Sequence, residues 1–168
     1  MLELLAIAAF AGLLIYAACS DVARLIIPNW VSIAMLAAFP VFALAAGMPL
    51  AELGLHLAFG AGALVVGYFL FAGNIIGGGD AKLFAAATVW TGFVAFIPFL
   101  FGTVLAGGIL ALALLAARQF VAQTETNPPF VNRLLTGQSG IPYGVAIMAG
   151  GLMAIPSIPF LSTSLTIP

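Results

Sequence analysis

The feature that most constrains this chain is a stretch from Leu83 to Ala117 that contains no charged side chain. As one straight helix, this stretch would be about 52 Å long at a rise of about 1.5 Å per residue. The hydrocarbon core of a bilayer is only about 30 Å thick, so the stretch predicts two membrane-spanning helices. We expect the chain to fold back between Thr91-Gly92 and Pro98.

The composition points to a membrane protein. Of the 168 residues, 64% are hydrophobic and 5% are charged, and the mean hydropathy is +1.28. A soluble domain carries about 25% charged residues, so this composition excludes a water-soluble globule. Similar apolar runs recur along the whole chain, and they lack the alternating polar residues of a membrane β-barrel. The sequence therefore predicts an all-α polytopic membrane protein.

Charge and cysteine content narrow the range of partners and cofactors. The formal net charge is −1, which gives no indication of nucleic-acid binding. The single cysteine, Cys19, excludes an internal disulfide and a metal site of the CxxC type. We therefore expect no metal and no cofactor, and we expect the lipid bilayer to be the main surroundings of the chain.

The apolar runs predict a bundle of six transmembrane helices in one domain that covers residues 1–168. The expected spans are about 2–20, 30–46, 53–72, 80–95, 98–117 and 141–156, with a polar loop at 118–140. The first run has no Lys or Arg at its start, which favours a retained helix over a cleaved secretory signal. Pro28 disfavours helix at the residue before it, and Asn29 is expected to cap the second helix.

The basic residues indicate how the predicted helices cross the membrane. With six spans, all four basic residues fall in loops on one side: Arg24, Lys82, Arg118 and Arg133. By the positive-inside rule this side is cytoplasmic, and both termini face the opposite side. Asp21 and Asp80 then lie at the cytoplasmic edge, whereas Glu52 and His56 mark the other interface. We expect His56 to be structural.

Two acids at one edge of a helix bundle suggest a catalytic pair. Close carboxylates in a poorly solvated site do not both ionise easily, so Asp21 and Asp80 would share one proton near neutral pH. The ionised carboxylate can take a proton from water while the protonated one donates a hydrogen bond to a substrate carbonyl. Gly77 and Gly79 lack side chains and would let a substrate backbone approach Asp80. The pattern predicts amide hydrolysis without a metal.

Other interpretations of these residues remain open from the sequence. Asp21 could form an ion pair with Arg24 three residues later, and Asp80 could cap a helix, with Lys82 as an interfacial anchor. A small proton- or cation-coupled transporter could use such acids, and a non-enzymatic assembly subunit could use them to hold partner helices. The sequence has no evident inverted repeat and both acids lie at one edge, which disfavours the transporter.

Three stretches resemble one known family. Gly77-x-Gly79-Asp80, continued by Ala81-Lys82-Leu83, is similar to the GxGD motif of membrane aspartyl peptidases. Asp21, followed after five residues by Ile27-Pro28-Asn29, extends this to a resemblance to the type IV prepilin peptidase family. Ile141-Pro142-Tyr143-Gly144 is similar to the short members of that family, which process Flp-type pilins of tight-adherence systems.

The resemblance implies a function for the chain. It implies that Asp21 and Asp80 are the catalytic pair of an aspartic-type endopeptidase. Such an enzyme removes a short basic leader from prepilins at the cytoplasmic face of the bacterial inner membrane. Larger members carry a cysteine-rich insertion and also methylate the new pilin N-terminus. Because this chain lacks the insertion, we expect no N-methyltransferase activity. We expect Arg24 and Lys82 to make structural or headgroup contacts, and Pro28 and Asn29 are further candidates for residues that support the pair.

Overall fold

The computed structural model describes residues 1–136 and 140–162. Within these ranges the chain consists of α-helices and short connections, and no β-strand occurs. The helices are α1 (Leu2–Arg24), α2 (Asn29–Ala45), α3 (Leu50–Ala72), α4 (Gly78–Thr91), α5 (Phe96–Phe120), α6 (Pro129–Leu135), α7 (Tyr143–Ala154) and α8 (Pro159–Ser162), with a 3₁₀ turn at Ile155–Ser157. The predicted all-α class is confirmed.

Three of the described helices, α1, α3 and α5, are long and apolar enough to cross a membrane. They contain 23, 23 and 25 residues. At the rise of an α-helix they are about 35–38 Å long, more than the thickness of the hydrocarbon core. α2 and the region of α7 are apolar but shorter. The chain is therefore a membrane protein, and the six spans stay a prediction.

α4 is the central helix of the bundle. It has 14 residues, most of them buried, and it packs against α2, α3, α5 and α7. The indole N–H of Trp90 donates a 2.9 Å hydrogen bond to the carbonyl of Met35 on α2. The same ring stacks on Phe10 of α1, with 5.1 Å between the ring centroids. Because a buried indole needs a partner for its N–H, Trp90 fixes α1, α2 and α4 relative to one another.

The long uncharged stretch folds back after α4, which ends at Thr91, and α5 begins at Phe96. The predicted span 80–95 therefore ends too late, because Gly92 turns the chain with a φ of 57°, a conformation that glycine adopts without strain. The ring of His56 covers this turn, and its Nδ1 donates a 2.7 Å hydrogen bond to the carbonyl of Val89. His56 thus satisfies a carbonyl at the end of α4, which is a structural role.

The connection from α1 to α2 is a tight reversal. Leu25 has a left-handed φ of 54°, and its N–H donates a 2.7 Å hydrogen bond to the carbonyl of Asp21. The hydroxyl of Ser20 donates a 2.8 Å hydrogen bond to the carbonyl of Ile26. These two bonds satisfy backbone groups at the end of α1 and fix the point at which the chain leaves the helix.

The prediction that Asn29 caps α2 is wrong. Pro28 occupies the N-cap position, with φ −64° and ψ 136°, and Asn29 is the first helical residue and makes no capping hydrogen bond. Its Oδ1 instead accepts a 2.9 Å hydrogen bond from Nζ of Lys82 on α4. A hydrogen bond from a charged donor is stronger than one from a backbone N–H, so the tertiary contact takes the place of the local cap.

The expectation of an extended loop at 118–140 is wrong for part of that range. α5 continues through Arg118 to Phe120, and α6 is a short helix inside the predicted loop. A proline precedes α6 and another begins it, where the missing N–H of proline costs nothing because the first helical N–H groups have no helical partner. Residues 137–139 of the predicted loop lie outside the described residues.

Two arginines hold α6 against one end of the bundle. Nε of Arg118, in the last turn of α5, donates a 2.9 Å hydrogen bond to the carbonyl of Leu134. Nη1 of Arg133, on α6 itself, donates a 2.7 Å hydrogen bond to the carbonyl of Ala23 in the last turn of α1. The end of α1, the end of α5 and α6 therefore lie together.

α5 and α7 approach each other closely at a pair of glycines. A Cβ built on Gly102 of α5 would lie 2.9 Å from Cα of Gly150 on α7. A Cβ built on Gly150 would lie 2.5 Å from the carbonyl oxygen of Phe99 and 2.6 Å from the backbone nitrogen of Thr103. Since these neighbours are backbone atoms, they cannot move aside cheaply. Small residues at such a crossing allow helices to pack in a membrane without water to expel.

We predict that Gly150→Ala lowers the free energy of unfolding by about 1–3 kcal/mol, because the added methyl group overpacks the contact with α5. Gly108→Ala is the matched control, since Gly108 is also helical and a Cβ there would meet nothing within 4 Å. Alanine has the higher helix propensity, so the control should be as stable as wild type or slightly more stable. Thermal unfolding in detergent measures both. Equal stability of the two variants would contradict the close approach of α5 and α7.

Candidate active site

Asp21 lies in the last turn of α1 and is only 6% exposed. Its Oδ2 accepts a 2.7 Å hydrogen bond from the backbone N–H of Gly144, the second residue of α7. The N–H groups in the first turn of a helix have no partner within that helix, and the helix dipole favours a negative charge there. The carboxylate of Asp21 therefore ties the end of α1 to the start of α7.

Asp80 is the third residue of α4 and is half-buried. Gly77 occupies the N-cap position, so the alternative interpretation of Asp80 as the cap is wrong. The carboxylate turns back toward that glycine, where a Cβ would lie 2.6 Å from Oδ2, and interacts with the Gly77 backbone N–H. An acid at the third helical position commonly reaches back in this way to the backbone of the N-cap residue. Asp80 is thereby held at the N-terminus of α4.

Ile27 connects the surroundings of the two acids. Its side chain is buried, and a Cβ built on Gly79 would lie 3.2 Å from Cβ of Ile27. A Cβ built on Gly144 would lie 3.3 Å from Cδ1 of Ile27 and 3.0 Å from Oδ2 of Asp21. The carboxylates of Asp21 and Asp80 are close enough to interact electrostatically. The three stretches that carry the family resemblance therefore meet at one end of the bundle.

The glycines before Asp80 are in two different surroundings. Gly77 is exposed and has only the Asp80 carboxylate close to it. Gly79 packs against Ile27, as described, so the space where its side chain would lie is already filled. Gly79 therefore has a packing reason to be glycine, whereas Gly77 leaves open space beside the acid. Access for a substrate backbone stays a prediction for both.

The predicted supporting residues surround the pair without forming ion pairs with it. Lys82 is exposed and donates its hydrogen bond to Asn29, and Pro28, between Ile27 and Asn29, is the N-cap residue of α2. Arg24 is exposed, and among residues 1–136 and 140–162 no ion pair joins it to Asp21. Asp21 faces the first turn of α7 instead. Its pairing with Arg24, the second alternative interpretation, is therefore wrong.

Two residues of the site were not identified as such from the sequence. Gly144 and Ile27 each belonged to a stretch that carries the family resemblance, but neither was named as a residue of the site. A glycine two residues after Pro142 does indicate an unpaired N–H at a helix start. The sequence does not say which carboxylate reaches that N–H. Within the described part of the chain, no group of three His, Cys, Asp or Glu side chains could hold a metal ion.

We predict that Asp21→Ala lowers the free energy of unfolding by about 1–3 kcal/mol, because it leaves the Gly144 N–H without an acceptor in a buried position. Asp21→Asn keeps an oxygen at the same place and is the matched variant, so its stability should stay close to that of wild type. Thermal unfolding in detergent measures both. If the alanine variant is as stable as the asparagine variant, the hydrogen bond between Asp21 and Gly144 does not hold α1 to α7.

A sequence model of the type IV leader peptidase family matches residues 8–112 of this chain. The matched segment includes Asp21, Ile27 and Asp80 and covers more than half of the chain, while Gly144 lies beyond it. No curated protein and no solved structure matches the chain. The family match confirms the resemblance seen in the motifs. The chain belongs to the type IV leader peptidase family, and it is a peptidase of that kind.

Proposed function

We propose that this protein is a membrane aspartyl endopeptidase that removes the leader from type IV or Flp-type prepilins, with Asp21 and Asp80 as its catalytic pair. Family membership supports the peptidase activity and a prepilin as the substrate. Asp21 and Asp80 are chosen because the three motif stretches lie together in the structure and their two carboxylates interact with each other. No other pair of acids in the described part of the chain has such surroundings.

The proposed reaction begins with one proton shared between the two carboxylates. The ionised carboxylate takes a proton from a water molecule, and the water oxygen attacks the carbonyl carbon of the scissile amide. The protonated carboxylate donates a hydrogen bond to the carbonyl oxygen, on which negative charge develops. The carbon–nitrogen bond then breaks as the carboxyl group that took the water proton donates it to the leaving nitrogen, which restores the pair with one shared proton. The new carboxyl group belongs to the leader, and the new amine belongs to the pilin.

The helix ends support this assignment electrostatically. Two like charges repel each other at short distance, and low solvation strengthens that repulsion. Asp21 interacts with the first turn of α7, and Asp80 lies in the first turn of α4. Each helix N-terminus carries a partial positive charge, so each helix stabilises one carboxylate of the pair. The bundle can therefore keep two acids together without a basic residue between them.

We also propose that α1, α2, α3, α4, α5 and α7 are the six spans and that the pair lies at the cytoplasmic edge. α4 is shorter than the hydrocarbon core, at about 21 Å for its 14 residues. It is enclosed by other helices, so lipid need not cover its full length. Arg133 contacts the end of α1 near Asp21, and Lys82 follows Asp80 by two residues. This clustering of basic residues favours the cytoplasmic side for this end and the opposite side for both termini.

We predict that Asp21→Asn and Asp80→Asn each reduce prepilin cleavage by at least about 10²-fold, because asparagine can neither take a proton from water nor carry the shared proton. The assay mixes the purified protein with a prepilin in detergent and follows the shortened product on a gel. Glu52→Gln is the matched control, since it makes the same change from acid to amide on α3. Full cleavage by either asparagine variant would refute the catalytic pair.

Failure of the wild-type protein to cleave would have a different meaning. With a folded wild-type protein and several prepilins as substrates, a complete absence of product would refute the proposed peptidase activity on prepilins. It would favour the non-enzymatic assembly subunit or the small transporter. A proton-uptake assay in vesicles separates these two, because only the transporter would move protons in a manner that depends on Asp21 and Asp80.

We predict that the protein processes the leader without methylating the product. The chain has one cysteine and no cysteine-rich insertion, which the larger, methylating members of the family carry. The cleavage assay is repeated with S-adenosylmethionine, and mass spectrometry measures the N-terminus of the mature pilin. We expect the unmodified mass. A methylated N-terminus that depends on this protein would contradict the assignment as a peptidase alone.

A further inference from the structure

A groove of about 500 Å³ opens between α2, α3 and α4. α2 and α3 both pack on α4 but have few contacts with each other, so α4 forms the floor between them. Along α4 the groove extends from Lys82 to Val89, which is two helical turns or about 10 Å. Apart from Asn29 and Lys82 at one end and one serine, its lining is apolar. The groove therefore begins at the end of the bundle that carries the acids and continues into the membrane.

The surface of the groove has the shape that helix packing in a membrane requires. Its floor on α4 has the small residues Ala85 and Ala86, and the adjoining part of α3 has the small residues Gly60 and Ala61. Larger apolar side chains, among them Leu36 of α2 and Leu64 of α3, form its walls. Because lipid tails are as apolar as leucine, helices associate in a membrane through close packing on small residues and through hydrogen bonds. A floor of small side chains between larger walls meets the first of these conditions.

Ser32 provides a second, independent indication of a ligand. It lines the groove, its side chain is 5% exposed, and its hydroxyl has no hydrogen-bond partner in the described structure. Buried hydroxyl groups are normally hydrogen-bonded, and a helical serine often bonds to a carbonyl of the preceding turn. The hydroxyl itself has almost no accessible surface, so a ligand in the groove would reach it only after a change of the Ser32 rotamer, and a polar group of that ligand would then satisfy it. A purely hydrocarbon occupant would leave it unpaired.

The groove and the candidate active site share one short segment. Ile27 packs against Gly79, next to Asp80. Two residues later, Asn29 accepts the hydrogen bond from Lys82 at the end of the groove. The Ile27–Asn29 segment therefore touches the site at its first residue and the groove at its last. A chain lying in the groove would leave it at the first turn of α4, where Asp80 is located.

The leader that the family resemblance implies is short and basic, so it does not match an apolar groove. We propose that this groove binds an apolar segment of the substrate on the other side of the scissile bond, as a helix packed on α2, α3 and α4. The proposal rests on the proposed peptidase function, and it deepens that function by locating the retained part of the substrate. The groove holds the apolar segment in the membrane, and the hydrogen bond between Lys82 and Asn29 marks where the substrate leaves the groove toward Asp21 and Asp80. Substrates with a membrane-embedded helix are thus preferred over soluble peptides of the same cleavage sequence.

The first test fills the groove and separates binding from chemistry. Ala61 is exposed on α3 and lines the groove, so Ala61→Trp fills it without replacing a core residue. We expect the KM for a detergent-solubilised full-length prepilin to rise at least about tenfold, equivalent to about 1.4 kcal/mol, with kcat within about twofold of wild type. Cleavage of a short peptide that contains only the leader and the scissile bond should not change. Ala113→Trp, on the exposed surface of α5, is the matched control.

The outcomes distinguish this proposal from the proposed function. A wild-type KM for the prepilin in Ala61→Trp would overturn the groove proposal, and it is also the result expected if only a lipid chain fills the groove. Equal losses on both substrates would overturn it too, because they would indicate a disturbed site at Asp80. In both cases cleavage by the wild-type protein would still support the proposed peptidase function. Only a wild-type protein that cleaves neither substrate would refute that function.

A cross-linking experiment tests the same contact without catalysis. Cys19→Ser removes the exposed native cysteine, and Asp80→Asn keeps the substrate intact. Leu36→Cys then places a thiol in the groove, and prepilins with single cysteines along the apolar segment are added with a mild oxidant. A disulfide needs Cα atoms within about 7 Å, so we expect cross-links at helical spacing. Leu112→Cys on α5 is the control. Equal cross-linking at both positions, or none at Leu36→Cys, would overturn the proposal.

Discussion

The hydrogen bond from Gly144 to Asp21 is the contact on which the geometry of the candidate site depends. It joins residues 123 positions apart in the chain and links the last turn of α1 to the first turn of α7. Without it, a buried carboxylate and a buried N–H would both lack a partner, which is costly in a membrane. The same contact keeps α7 beside Ile27. Ile27 in turn packs on the glycine next to Asp80, so one hydrogen bond helps to position both acids.

The site also depends on a short helix enclosed by longer ones. α4 carries Asp80 at its N-terminus, and His56 satisfies a carbonyl at its C-terminal end. Since other helices surround α4, both of its ends can carry polar groups without contact with lipid tails. Because α4 is buried, its helix dipole acts on Asp80 in surroundings of low polarity. A fully lipid-exposed helix of this length would not allow an acid in that position.

The features predicted correctly from the sequence are those that depend on the chain locally. The predictions that were wrong concern polar side chains for which a distant partner replaces a local one. Gly92 was within the interval expected for the turn between α4 and α5, because an uncharged stretch too long for one span must fold back within it. Asn29 was assigned as a cap, yet it binds Lys82, and this choice depends on a helix that lies far along the chain. The pairing of Asp21 with Arg24 failed for the same reason, since Gly144 was the available partner.

The sequence by itself determined the membrane environment, the helical class and the family, because composition and three short motifs are properties of the chain alone. It also identified Asp21 and Asp80 as candidates. Only the tertiary structure decided that Ile27 and Gly144 lie beside these two acids and that Ile27 occupies the space next to Gly79. It also decided that a groove lined by Ser32 begins beside the site. These facts depend on distances between helices. Such distances follow from packing in three dimensions, which no local pattern of residues contains.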